Sequence, residues 1–157
     1  MKKTKIAING FGRIGRATAK LMLNNDLIDL VAINDLSDNE TLAHLFKYDS
    51  VHGKYHGDVS SDDNSLTIGG NKISATSERD PEQLPWKELG VDIVIESTGH
   101  FRTPELAGKH LKAGARKVIL SAPAKSGDIK TIVLGVNDHE LDGTETIISN
   151  ASCTTNC

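Results

Sequence analysis

Short apolar runs alternate with amphipathic stretches along the whole chain. Lys5-Ile6-Ala7-Ile8-Asn9 is apolar and partly β-branched, with glycines directly after it, and predicts a buried strand. Ile14, Ala17, Leu21 and Met22 recur at helical spacing and predict the apolar stripe of a helix that Asn24-Asn25-Asp26 ends. Leu30 to Asn34 predicts a second strand of the same kind. Two such strands joined by a helix make a βαβ unit with parallel pairing. Ser37-Asp38-Asn39-Glu40 matches a capping box and predicts a helix through Lys47, with Leu42, Leu45 and Phe46 on its apolar face. Between Gly57 and Thr76 the rhythm breaks. Leu66-Thr67-Ile68 and Lys72-Ile73-Ser74 flank Gly69-Gly70-Asn71, which predicts an antiparallel hairpin inserted in the parallel sheet. Pro81 predicts the start of a short helix, with Gly90 just beyond its end. Further strands are predicted at Val91–Glu96, Lys117–Ser121, Thr131–Leu134 and Thr146–Ser149, and a helix opening at Thr103-Pro104 that Gly114 stops. The alternation predicts an α/β fold, doubly wound, with a mostly parallel sheet.

Composition narrows the function classes. Of 157 residues, 38% are apolar and the net charge is −3, values of an ordinary globular chain. There is no basic block, so the expected partners include no nucleic acid and no polybasic membrane contact. No apolar run approaches the roughly 18 residues of a membrane span, and the N-terminus lacks the apolar stretch of a secretory signal. The chain reads as cytoplasmic. Two cysteines make no disulfide framework, and a zinc pair at Cys153 and Cys157 would need two more ligands, so no metal site is expected. Cys157, one turn beyond Cys153, is expected to pack inside the helix.

Gly10-Phe11-Gly12-Arg13-Ile14-Gly15 is G-x-G-x-x-G, placed after a predicted strand and opening a predicted helix. Gly10 permits the tight turn, Gly12 lets a pyrophosphate approach the backbone, and Gly15 lets helix and strand pack closely. The helix N-terminus offers free N–H groups and a positive dipole end to phosphates. Asp35 ends the second strand, 20 residues after Gly15, where a Rossmann-type fold sets an acid against the adenosine ribose hydroxyls. A carboxylate accepts hydrogen bonds from the hydroxyls and repels a 2′-phosphate, so NAD is favoured over NADP. Arg13 works against that preference, since a nearby arginine can face a phosphate.

Ser149 to Cys157 follows a strand and looks like the start of a helix. A cysteine at a helix N-terminus has its thiolate stabilised by N–H groups and the dipole, and the thiolate is the nucleophile of covalent catalysis. On residue chemistry alone two roles for Cys153 stay open: that nucleophile, or a structural cysteine buried in a polar turn.

The sequence resembles the phosphorylating glyceraldehyde-3-phosphate dehydrogenases, of the bacterial NAD-linked type. The resemblance rests on Ile8 to Arg16, Asn34-Asp35-Leu36, Tyr48 to Gly53, Glu78 to Pro81, Glu96-Ser97-Thr98-Gly99, Ser121-Ala122-Pro123 and Ser149 to Cys157. It covers all 157 residues and implies the first half of such an enzyme, with an NAD-binding domain at 1–149 and the start of the catalytic domain at 150–157. It implies that Cys153 attacks glyceraldehyde 3-phosphate and carries a thioester that inorganic phosphate releases, with Ser152 and Thr154 holding substrate or phosphate. It implies NAD contacts from Asn9, Gly10, Phe11, Gly12, Arg13, Ile14, Asn34, Asp35, Leu36, Arg79, Ser97, Thr98, Gly99, Phe101 and Ser121, and a homotetramer. The family's catalytic histidine falls beyond Cys157, so the isolated chain is expected to be inactive. None of His44, His52, His56, His100, His110 and His139 matches that position, and each is expected on the surface or in a loop. The same motifs leave erythrose-4-phosphate dehydrogenase, or a non-catalytic nucleotide-binding module, as alternative readings.

Overall fold

The computed structural model describes residues 2–157. Strands β1 (Thr4–Asn9) and β2 (Ile28–Asn34) flank helix α1 (Arg13–Met22), as the first two apolar runs predict. Helix α2 (Asn39–Lys47) leads to β3 (Val59–Asp62), β4 (Ser65–Ile68) and β5 (Asn71–Thr76). A 3-10 turn at Pro81–Gln83 and the short helix α3 (Trp86–Leu89) precede β6 (Ile93–Glu96). Helix α4 (Pro104–Lys112) connects to β7 (Lys117–Leu120); β8 (Lys130–Thr131), β9 (Ile147–Ser149) and α5 (Cys153–Asn156) complete the order.

One nine-stranded sheet runs β3-β4-β5-β2-β1-β6-β7-β9-β8. Every pair is parallel except β3–β4 and β4–β5. Strand alternation divides the core between two faces. Ile6, Ile8, Ile33 and Ile95 pack with Ala19 and Met22 of α1 and Leu42, Ala43 and Phe46 of α2. Ala7, Ala32 and Val94 face the other way, against Trp86, Leu84 and Ala113. Helices thus cover both faces, which is the doubly wound arrangement.

Several boundaries differ from the sequence reading. The buried residues of α1 are Gly15, Ala19 and Met22, while Ile14 and Leu21 are 56% and 76% exposed. Close approach to the sheet favours small residues at that face; of the expected stripe Met22 is buried and Ala17 half-buried, while Ile14 and Leu21 turn to solvent. On α2, Leu42 and Phe46 are buried but Leu45 is exposed. The cap of α2 is Asp38, not Ser37: its Oδ1 accepts the Thr41 N–H at 2.8 Å. The hairpin is part of a three-stranded meander, because the polar strand β3 pairs with β4 from Val59↔Ile68 to Asp62↔Ser65. The helix expected from Pro81 to Gly90 is split in two, with Gly90 at φ 67 closing α3. The expected strand at Thr131–Leu134 survives only as Lys130–Thr131, and Leu134 is exposed.

Candidate functional site

The chain leaves β1 toward β2 on one side, and β6 fills the other side, so strand order reverses at β1. Ligands of open α/β sheets bind outside the carboxyl ends of the strands at such a point. A cleft of about 430 Å³ opens there, lined by Asn9, Gly10, Gly12, Asn34, Asp35, Leu36, Glu78, Arg79, Ser97, Thr98, His100 and Phe101. Glu78 and His100 were not read as site residues; only the fold brings them to the rim.

The glycine loop forms the floor. Gly10 sits at φ +91, and a Cβ there would lie 2.7 Å from the Thr98 nitrogen. A Cβ on Gly15 would collide with the Gly10 carbonyl oxygen, whereas one on Gly12 would meet nothing within 4 Å. The first helical bond of α1 runs from the Arg16 N–H to the Gly12 oxygen. The N–H groups of Arg13, Ile14 and Gly15 therefore have no intrahelical acceptor. Asp35 bridges two segments: Oδ2 accepts the Phe11 N–H at 2.8 Å and Oδ1 accepts the Ser37 N–H at 3.0 Å. Asn34 clamps the opposite wall, donating to the Glu78 oxygen at 2.9 Å and accepting the Glu78 N–H at 2.8 Å. That clamp sets the backbone leading into Arg79. Free N–H groups, an acid at the end of β2 and open space over Gly12 fit a dinucleotide.

Five expected cofactor residues lie outside the cleft lining. Arg13 and Ile14 are exposed in the first turn of α1. The Phe11 side chain is fully buried and stacks on Phe46, so only its backbone faces the loop. Ser121 stands farther along the same edge, its N–H on the Glu96 oxygen at 3.0 Å. Gly99 borders the cleft between Thr98 and His100, at φ +78.

The expected nucleophile is on the same edge of the sheet. Past the strand ends the backbone steps from neighbour to neighbour: Gly10 N–H to Asn34 O, Ser97 to Asn9, Ser121 to Glu96, Asn150 to Leu120. Asn150 follows β9, three strands from β1, a lateral distance of about 14 Å at ordinary strand spacing. Ala151 then turns the chain with φ 57, an unusual conformation for a residue with a Cβ, although it is only 2% exposed. Ser152 caps α5, its Oγ accepting the Thr155 N–H at 3.0 Å and lying 2.8 Å from the Thr154 hydroxyl. Cys153 is exposed in this chain, and so is Cys157, which does not pack inside the helix as expected. Among the described residues, no group of three or more His, Cys, Asp or Glu is placed to hold a metal ion.

One histidine is a clear correction. His44, His52, His56, His100 and His139 are exposed, but His110 is fully buried on α4. It lies 3.0 Å from Glu96 Oε2 and accepts the Trp86 indole N–H at 3.0 Å. The signal was present in Glu96, an acid closing an apolar strand: a buried carboxylate demands donors.

The family model for the glyceraldehyde 3-phosphate dehydrogenase NAD-binding domain matches residues 4–104. The chain belongs to this family. Among glyceraldehyde-3-phosphate dehydrogenases it is 58% identical to that of Geobacillus stearothermophilus over 154 residues, 98% of this chain and 46% of the relative. The enzyme of Clostridium pasteurianum is 53% identical over 154 residues, again 98% of this chain and 46% of the relative. That of Thermotoga maritima is 57% identical over 154 residues, 97% of this chain and 46% of the relative. The chain thus spans about half the length of the curated relatives it matches. Its family domain binds NAD.

Proposed function

We propose that residues 1–149 are the NAD-binding domain, and residues 150–157 the start of the catalytic domain, of a phosphorylating glyceraldehyde-3-phosphate dehydrogenase. The protein oxidises D-glyceraldehyde 3-phosphate to 1,3-bisphosphoglycerate in glycolysis, as a cytoplasmic homotetramer. The observation that carries this reading is the shared edge: the glycine-loop cleft and exposed Cys153 stand at the same ends of one parallel sheet. An extended dinucleotide starting at Asp35 and crossing the α1 N-terminus would run toward Ser121 and the cysteine.

In this reading Gly10, Gly12 and the N–H groups of Arg13 and Ile14 hold the pyrophosphate. Asp35 and Leu36 hold the adenosine ribose, with Arg79 and Ser97 to Gly99 around the adenine end; Asn9, Asn34 and Phe101 shape the walls, and the Phe11 N–H steadies Asp35. When bound, NAD supplies the hydride acceptor. Cys153 Sγ bonds to the aldehyde carbon, and the carbonyl oxygen becomes the hydroxyl of a thiohemiacetal. Loss of the carbon-bound hydrogen as hydride and of the hydroxyl proton to solvent would leave an acyl thioester on Sγ. A phosphate oxygen then bonds to the acyl carbon, the C–S bond breaks and the thiolate is restored. The Ser152 and Thr154 hydroxyls are close enough together to bind oxyanion or phosphate oxygens.

The test is phosphate-dependent NADH formation from the aldehyde by the active protein. Cys153→Ser is expected to abolish it while NAD still titrates. Iodoacetamide with peptide mapping should mark Cys153 before Cys157. Turnover by the serine variant, or first labelling at Cys157, would overturn the assignment.

A further inference from the structure

A chain of buried polar groups runs beneath the cleft. His110, Glu96 and Asn9 are 0%, 2% and 1% exposed. The Trp86 indole N–H points at His110 Nδ1, 3.0 Å away. An indole nitrogen only donates, so Nδ1 is the acceptor and the ring proton sits on Nε2. Nε2 then donates to Glu96 Oε2 at 3.0 Å. The same oxygen accepts Asn9 Nδ2 at 2.6 Å, and Oε1 accepts both the N–H and the hydroxyl of Thr98, at 2.8 and 2.5 Å. Thr98 lines the cleft and presses on Gly10. Phe101, also in the lining, sets its ring edge-on to His110 with centroids 6.2 Å apart.

We infer that His110 is a positioning residue for the dinucleotide: fixed by Trp86 as the Nε2–H tautomer, it holds the Glu96 carboxylate that anchors the Thr98 wall. The inference rests on reading the cleft as the NAD site. Among the described residues no lysine or arginine pairs with Glu96, so its hydrogen-bond donors alone satisfy a buried acid. With the imidazole donor gone, the carboxylate re-orients toward the donors that remain. Thr98 is held by both its N–H and its hydroxyl, so it moves too, and Gly10 has no free space beside it to absorb the shift.

Two substitutions separate positioning from mere filling. Gln at 110 reaches as far as Nε2 and keeps an N–H for Glu96, but gives up the acceptor of Trp86. Asn reaches only as far as Nδ1, so it keeps that acceptor and loses the donor. The measurement is calorimetric titration of the purified protein with NAD. Emission of Trp86, the one tryptophan among these 157 residues, and the melting midpoint are read on the same samples. His110→Asn is expected to weaken NAD binding about tenfold, the scale of one hydrogen bond to a charged group. His110→Gln should stay close to the unsubstituted protein in affinity while its Trp86 emission shifts. Equal affinities for the two folded variants overturn the inference, as does a loss confined to the Gln variant. Should His110→Asn not fold, His110→Met replaces it: it has the length of Gln without the N–H, and its NAD affinity should fall below that of His110→Gln. Unchanged affinity there overturns the inference. If the unsubstituted protein fails to bind NAD, the reading of the cleft itself falls, and the inference with it.

Discussion

Both carboxylate oxygens of Asp35 are engaged before any ligand arrives, one by the Phe11 N–H and one by the Ser37 N–H. The residue therefore braces the glycine loop as well as facing a ribose, since each oxygen retains a second lone pair. Asp35→Ala should lose both contributions and weaken NAD about tenfold. It should weaken NADP less, because the charge that repels a 2′-phosphate also disappears. Parallel titrations with the two cofactors measure the gap, and a gap that fails to narrow refutes the charge argument. Asp35 was legible from its spacing to the glycines alone. Its bond to Phe11 was not, because nothing local signals which backbone N–H a side chain will meet.

At the scale of the element, α1 shows what a helix needs to seat against a sheet and beside a ligand. Gly15 touches the loop it grows from, and Gly12 faces open space. Gly15→Ala should therefore lower stability by about 1–3 kcal/mol, the usual penalty for overpacking. Gly12→Val should leave the circular dichroism melt near that of the parent and abolish dinucleotide binding. A melt that moves with Gly12 and not with Gly15 would reverse the assignment of the two roles. The motif, the βαβ unit and the Thr103 cap were readable because each is short-range chemistry. The buried side of α1 was legible only at Met22, because hydrophobicity ranks Ile14 and Leu21 above Gly15 and Ala19, while contact with the sheet selects for small size. Strand β3, Val-Ser-Ser-Asp, carries almost no apolar signal; it exists because β4 offers it a ladder. His110 was misplaced for a related reason: its partners Glu96 and Trp86 come from other elements.

Across the whole molecule, several carboxylates are held below their ordinary values by the groups around them. The His52 N–H, the Lys20 ammonium and the Val51 N–H do this for Asp49. Lys109 does it for Asp80 and Lys130 for Glu145. A lowered folded value means that the unfolded chain binds protons first, so this stability is complete above the unfolded value and fades as pH falls. The melting temperature should be level between about pH 6 and 8 and decline below roughly pH 4, with a shallower decline for Asp49→Asn. An acid limb identical in that variant would assign the decline to other groups. The sheet order has a further consequence, for synthesis. β1 is paired on one side with β2 but on the other with β6, Ile6 opposite Ile93. The second partner thus leaves the ribosome 87 residues later. At translation rates of about 5–20 residues per second, that edge of β1 stays open for roughly 4–17 s. Ile6, Ala7 and Ile8 form an unguarded apolar edge during that interval, the kind of template that invites wrong pairing. The strand at the centre of the finished sheet is thus one that nascent-chain chaperones have reason to cover.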